Sequence, residues 1–104
     1  MHILNYEIQA KDNQIIELNN CLLAISKEVA LLEACQMYMI TKIKEHENVF
    51  QITEIWDDEL SYDNSLSHPN RSKLWDQAQN FILNQDINLT VYTVVGGYFN
   101  LGNE

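Results

Sequence analysis

Basic side chains are scarce in this sequence. Six Lys and Arg stand against fifteen Asp and Glu, a formal charge of −9. A surface of that sign repels a phosphate backbone, and no basic stripe offsets the repulsion, so nucleic acid is excluded as a partner at this stage. Anionic membrane surfaces are disfavoured for the same reason. No apolar run approaches the roughly 20 residues of a spanning helix, and no membrane contact is expected. Glycine and proline are also few, three and one, which argues against a disordered or fibrous chain. A signal peptide would need an unbroken apolar start. Asn5, Glu7, Lys11 and Asp12 interrupt it, which points to the cytoplasm. The only cysteines, Cys21 and Cys35, lack CxxC or metal-site spacing and read as buried free thiols, with a disulfide as the lesser alternative.

What is present is hydrophobic patterning: 46% of the 104 residues are apolar, enough for one domain and one core. His2 to Gln9 alternates Leu4, Tyr6 and Ile8 against Ile3, Asn5 and Glu7, a period of two that predicts a half-buried strand. From a cap at Asp12 or Asn13, apolar residues recur at Ile15, Leu18, Leu22, Ile25, Val29 and Leu32, a helical spacing. Alternation returns from Ala34 to Lys44. Glu45 to Asn48 supplies a polar turn, and a second arm follows from Val49 to Trp56. Asp57-Asp58-Glu59 places carboxylates at a helix start. Pro69 opens another helix, running to about Leu83. The last strand spans Ile87 to Val95, and Gly96-Gly97 releases a tail.

That order is the split β-α-β-β-α-β pattern of a ferredoxin-like α+β domain over residues 1–97, with 98–104 as a tail. It predicts an antiparallel sheet with helices on one face and an open face too apolar to leave bare. A second copy is the simplest cover, so a homodimer is expected.

The stretch Glu54-Ile55-Trp56 followed by Asp57-Asp58-Glu59 resembles the antibiotic biosynthesis monooxygenase family, whose strand ends in Glu, an apolar residue and Trp or Tyr before an acidic turn. Leu32 to Tyr38, Ser67-His68-Pro69-Asn70 and Val91 to Gly96 are similar to further family segments in the same order. The resemblance covers about residues 3 to 96 and implies a dimeric α/β barrel. It also implies oxidation of a small aromatic hydroxyl substrate by O2, with no cofactor and no metal. Three departures stand out: Ala34 replaces a customary Gly, and Ser65 and Asn70 stand where the family often carries His. Haem-degrading relatives use an Asn, a Trp and a ligand His; Asn5 and Trp56 are the counterparts here, and Trp75 stands at the ligand position, so ordinary haem ligation is not expected.

The site implied by these residues has His68, Asn5 and Trp56 as its catalytic members. Tyr38, Tyr62, Glu54, Phe50 and Trp75 bind substrate. Each has a simpler reading. Trp56 is then a core aromatic, Asn5 a surface amide, and the tyrosines half-wet aromatics. His68, an imidazole of the kind that serves as a base, then only fills a loop. Glu54 is a buried base or, more simply, a salt-bridge or dimer contact. Arg71, the sole arginine, either draws an anion to the pocket mouth or pairs with Asp63 or Asp76. His2 and His46 read as solvated, and Met37 and Met39 as strand core. A non-catalytic binding module on the same fold is the competing reading.

Overall fold

The computed structural model describes residues 1–84 and 86–98. The expected tail, 98–104, lies outside them except for Tyr98. Chain order is β1 (His2–Gln9), α1 (Ile15–Val29), β2 (Cys35–Lys42), β3 (Val49–Trp56), α2 (Glu59–Leu66), α3 (Pro69–Gln79) and β4 (Thr90–Tyr92). The strands form one antiparallel sheet in the order β2-β3-β1-β4, the ferredoxin-like α+β arrangement expected from the sequence. Among the described residues no helix is long and apolar enough to cross a membrane.

Register explains the two faces. Every residue of β1 pairs with β3, from His2 opposite Trp56 to Gln9 opposite Val49. Side chains alternate across a strand, so Leu4, Tyr6 and Ile8 share a face with Phe50, Ile52, Glu54 and Trp56. All are buried. Against this face α1 lays Leu18, Leu22, Ile25 and Val29, spaced four, three and four apart, all essentially without exposure. Each such side chain contributes about 1.5–3 kcal/mol of burial. The other face carries Ile3, Asn5, Met37, Met39, Thr53, Ile55 and Tyr92 and has no helix over it.

Several boundaries differ from the sequence pattern. Neither Asp12 nor Asn13 caps α1. Asn13 takes a left-handed backbone (φ 63°), which Asn tolerates, and the helix starts after Gln14 with no side-chain cap. At its far end α1 closes on Ala30, still in helical dihedrals as the C-cap, and only Leu32 of the next turn packs on the core. The acidic turn behaves as expected. The Asp58 side chain accepts from the Ser61 amide at 2.7 Å, and this contact holds its carboxyl below the usual range. α3 stops at Gln79 rather than Leu83 because β1 claims the next residues: the Lys11 amide donates to the Phe81 carbonyl and the Leu83 amide to that of Gln9.

The same competition shortens β4. Asn84 accepts from the Gln9 amide (2.7 Å) and donates to the Glu7 carbonyl (3.3 Å). It thereby takes the edge positions of β1 that a strand beginning at Ile87 would need. Only Thr90–Tyr92 pairs, with Asn5–Ile3, and Ile87 and Leu89 are left to line a cavity. Val94 and Val95 are exposed instead of continuing the strand.

Candidate active site

Strand alternation delivers Tyr6 from β1, Tyr38 from β2 and Glu54 with Trp56 from β3 to the helix-covered face. Tyr38 lies directly opposite Glu54. The first turn of α3 then brings Arg71 down onto the carboxylate. Arg71 Nη2 lies 2.9 Å from Glu54 Oε2, with the carboxylate fully buried and the guanidinium side chain 8% exposed. Tyr6 donates its hydroxyl to the same oxygen at 2.6 Å, and Trp56 Nε1 donates to Oε1 at 2.9 Å. Arg71 Nη1 also donates to Ser65 Oγ at 3.0 Å, and that hydroxyl in turn donates to the Tyr62 carbonyl at 2.6 Å. The buried charges are thus paired and hydrogen-bonded, as low dielectric requires.

Above this network lies a cavity of about 360 Å³. Tyr6, Tyr38, Tyr62, Arg71 and Trp75 supply its aromatic and cationic wall; Ile25, Leu66, Ile87 and Leu89 close the rest. The guanidinium carbon sits 5.9 Å from the ring centres of Tyr38 and Tyr62 and 6.0 Å from that of Trp56, a spacing at which ring faces stabilise a cation. Burial pushes all three phenols above their ordinary ionisation, with the Glu54 charge adding to it. At neutral pH they remain O–H groups. Burial works against the Arg71 charge, but the Glu54 carboxylate and its hydrogen bond more than offset this and raise its pKa. Chemically, the cavity offers neutral hydroxyl donors and one fixed cation in apolar walls. Such groups stabilise an oxyanion developing on a bound aromatic ring.

The expected site residues divide accordingly. Tyr38, Tyr62 and Trp75 line the cavity, and Glu54 lies beneath it. Trp56 is 1% exposed with its N–H committed to Glu54, so it positions the carboxylate and does not reach the cavity. Asn5 corrects the expectation: it points from the opposite face of the sheet and donates to Thr53 Oγ1 at 2.9 Å. Phe50 is another correction, buried at the far end of β3 with Lys42 Nζ 5.3 Å from its ring centre. His68 opens into a separate groove of about 460 Å³ that it shares with Leu32, Ala34, Trp56 and Ser65, so the structure brings His68 and Trp56 together there and not at the cavity; His68 Nδ1 is buried without a hydrogen-bond partner.

Other pairings were also misplaced. Arg71 bonds neither Asp63 nor Asp76 but the buried Glu54. His2 is half-buried, its ring 5.3 Å from that of Tyr62, while His46 is exposed as expected. Met37 and Met39 lie on the open face, and Met39 is 43% exposed. Both cysteines are free but only half-buried. Of the three departures, Ala34 lines the His68 groove, Ser65 is buried against Arg71, and Asn70 is exposed and donates to Glu28 at 2.9 Å. The sequence reading missed Tyr6 as a site residue. The signal was its place on the Leu4–Ile8 face, the one polar tip among apolar neighbours. Among the described residues no group of three or more His, Cys, Asp or Glu side chains converges on a common point.

Comparison with solved structures decides what this architecture is. A candidate antibiotic biosynthesis monooxygenase from Deinococcus radiodurans superposes with a TM-score of 0.82 at 20% identity, over 98% of this chain and 100% of that one. The chain has the antibiotic biosynthesis monooxygenase fold. A second antibiotic biosynthesis monooxygenase matches with a TM-score of 0.84 at 14% identity, covering 92% of this chain and all of that one. A third monooxygenase candidate, from Nitrosomonas europaea, reaches 0.85 at 7% identity with 92% and 100% coverage. No family model and no curated protein matches the chain. Identities this low make the monooxygenase likeness one of fold, so function is argued from the cavity itself.

Proposed function

We propose that the chain is a cofactor-independent monooxygenase that oxidises a small aromatic hydroxyl compound with O2. The observation carrying this reading is the apolar cavity in which Tyr6, Tyr38 and Tyr62 surround a single guanidinium. Such a site takes a flat neutral ring, offers the Tyr38 and Tyr62 hydroxyls to its oxygen, the Tyr6 hydroxyl being already donated to Glu54, and keeps a cation beside the oxyanion formed on deprotonation. The electron-rich anion is then the reductant. For an anthrone, CH2 becomes C=O: one atom of O2 enters the product, and the other leaves as water with the two hydrogens. Oxygen uptake with anthrone and simple hydroquinones tests the reading, with uptake well above the buffer rate and one O2 consumed per anthraquinone formed. Folded protein that adds nothing to the buffer rate sinks it.

A non-catalytic binding module is the second reading, favoured by one observation: among the described residues that line the cavity there is no imidazole, His68 lying in the separate groove. Thermal stabilisation by anthrone without oxygen uptake selects it.

The working unit in this proposal is a homodimer, with the open sheet face of one copy on that of another. Ile3, Met37, Met39 and Tyr92 form the accessible apolar part of that face around the buried Ile55, the kind of patch a monomer does not ordinarily leave bare. Sedimentation equilibrium should give twice the chain mass. Met39→Glu, which buries a charge in the joint, should give the single-chain mass with unchanged circular dichroism. A wild-type monomer at micromolar concentration would contradict the dimer.

A further inference from the structure

We propose that Tyr6 and Glu54 form a proton relay, in which the Tyr6 hydroxyl receives the hydroxyl proton of a bound phenol and passes its own proton to Glu54 Oε2. The inference rests on the phenol-oxidation reading of the same cavity and names the base that this reading requires.

No carboxylate and no imidazole lines the cavity among the described residues. The nearest base is Glu54, which is completely buried and stands behind Tyr6. A phenol in the cavity therefore reaches it only through a hydroxyl that can accept and donate at once. Tyr6 is on the cavity wall and already donates to Oε2 over 2.6 Å. Burial holds Tyr6 well above its ordinary ionisation, so the transfer runs through it in one motion and forms no tyrosinate. The substrate O–H bond breaks as an O–H forms at Tyr6 Oη; the original Tyr6 O–H breaks as an O–H forms on Oε2. No electrons change hands.

Charge bookkeeping favours this route over release to solvent. Before transfer the buried charges are Glu54 carboxylate and Arg71 guanidinium, with a neutral phenol above them. Afterwards they are the substrate oxyanion and the same guanidinium, with a neutral Glu54. The site never carries a net charge, so no new ion is created in low dielectric. Arg71 faces both anions, being 2.9 Å from Oε2 and on the cavity wall. Trp56 Nε1 on Oε1 fixes the carboxylate so that Oε2 faces Tyr6. Once O2 has taken electrons from the oxyanion, the proton held on Glu54 returns along the same path to the reduced oxygen.

The relay is tested without turnover by titrating the protein with 4-nitro-1-naphthol, a coloured-on-ionisation phenol, at a pH below the probe's own pKa. With wild type the bound probe should show its phenolate band. Its calorimetric binding enthalpy should not depend on the ionisation enthalpy of the buffer, because the proton stays on Glu54. With Glu54→Gln the band should vanish, or any ionised probe should release a proton and make the enthalpy buffer-dependent. A wild-type probe that binds uncoloured, or one that colours while releasing a proton to the buffer, overturns the relay. Failure to bind overturns the cavity reading together with it.

Turnover gives a second arm. Tyr6→Phe should lower the rate of oxygen uptake with a hydroquinone, which carries the hydroxyl proton the relay moves, about 100-fold or more, the usual scale for a lost proton-transfer group, with circular dichroism near wild type. An unchanged rate in that variant refutes the Tyr6 role. Absence of uptake in wild type refutes the oxidation reading alone, since the probe titration still reports on Glu54.

Discussion

Arg71→Met should destabilise the domain by about 3–5 kcal/mol, the scale for stranding one member of a buried ion pair. In a domain of this size each kcal/mol moves the melting temperature by roughly 4–8 °C, so the variant should melt far below wild type or fail to fold. The reason lies in the dielectric around Glu54. The carboxylate has no exposed surface, and its remaining partners, the Tyr6 hydroxyl and the Trp56 indole, are neutral dipoles that cannot replace a full positive charge. Glu54→Leu should also be costly, since it leaves the guanidinium and two donors without an acceptor. The double variant Arg71→Met/Glu54→Leu removes both charges. It should cost no more than Arg71→Met alone, although the stranded Tyr6 and Trp56 donors still cost about 1–3 kcal/mol each. Urea unfolding of the four proteins closes the cycle. Strictly additive single effects would show that water reaches the pair and that its burial has been misjudged.

Trp56→Ala should be nearly as damaging, at about 3–5 kcal/mol for a large aromatic removed from a core. Two effects combine here and can be separated. The indole fills the space between β3 and α2, its ring 6.2 Å from that of Tyr62, and deleting it opens a cavity that close-packed neighbours cannot fill. The lost N–H also frees Oε1 to rotate. Trp56→Phe keeps the larger part of the aromatic volume and removes the donor, so it should cost less than Trp56→Ala, at about 1–3 kcal/mol. Equal unfolding midpoints for Trp56→Phe and wild type would show that the indole acts by volume alone.

The fold was legible because its signals are periodic and redundant. Leu18, Leu22, Ile25 and Val29 could only be one face of a helix, and the alternation in residues 2 to 9 and 49 to 56 set both central strands without error at either end. Boundaries governed by a competing partner were not legible. Nothing local in Ile87 to Leu89 reveals that Asn84 has already bonded to the edge of β1. Nothing in residues 80 to 83 reveals that Gln9 and Lys11 claim their backbone.

The lining of the cavity was legible in part. Tyr38, Tyr62 and Trp75 reach it and Glu54 lies beneath it because alternation and helix phase fix their directions. Asn5 failed because it was chosen for its chemistry against the phase of its own strand: one position along, Tyr6 carries the polar group that faces the cavity. For Arg71 the sequence offers either the pocket mouth or a pairing with Asp63 or Asp76; the first turn of α3 puts it on the cavity wall and aims it seventeen residues back, at Glu54.

The pleat of β1 and β3 keeps two sets of demands apart. Even-numbered positions from Leu4 to Ile8 and from Phe50 to Trp56 answer to packing and chemistry, while their odd-numbered neighbours answer to whatever meets the bare side. Substitutions for a new ligand and substitutions for a new assembly can therefore accumulate in alternate letters of the same eight-residue segments, each set changing without obliging the other to follow.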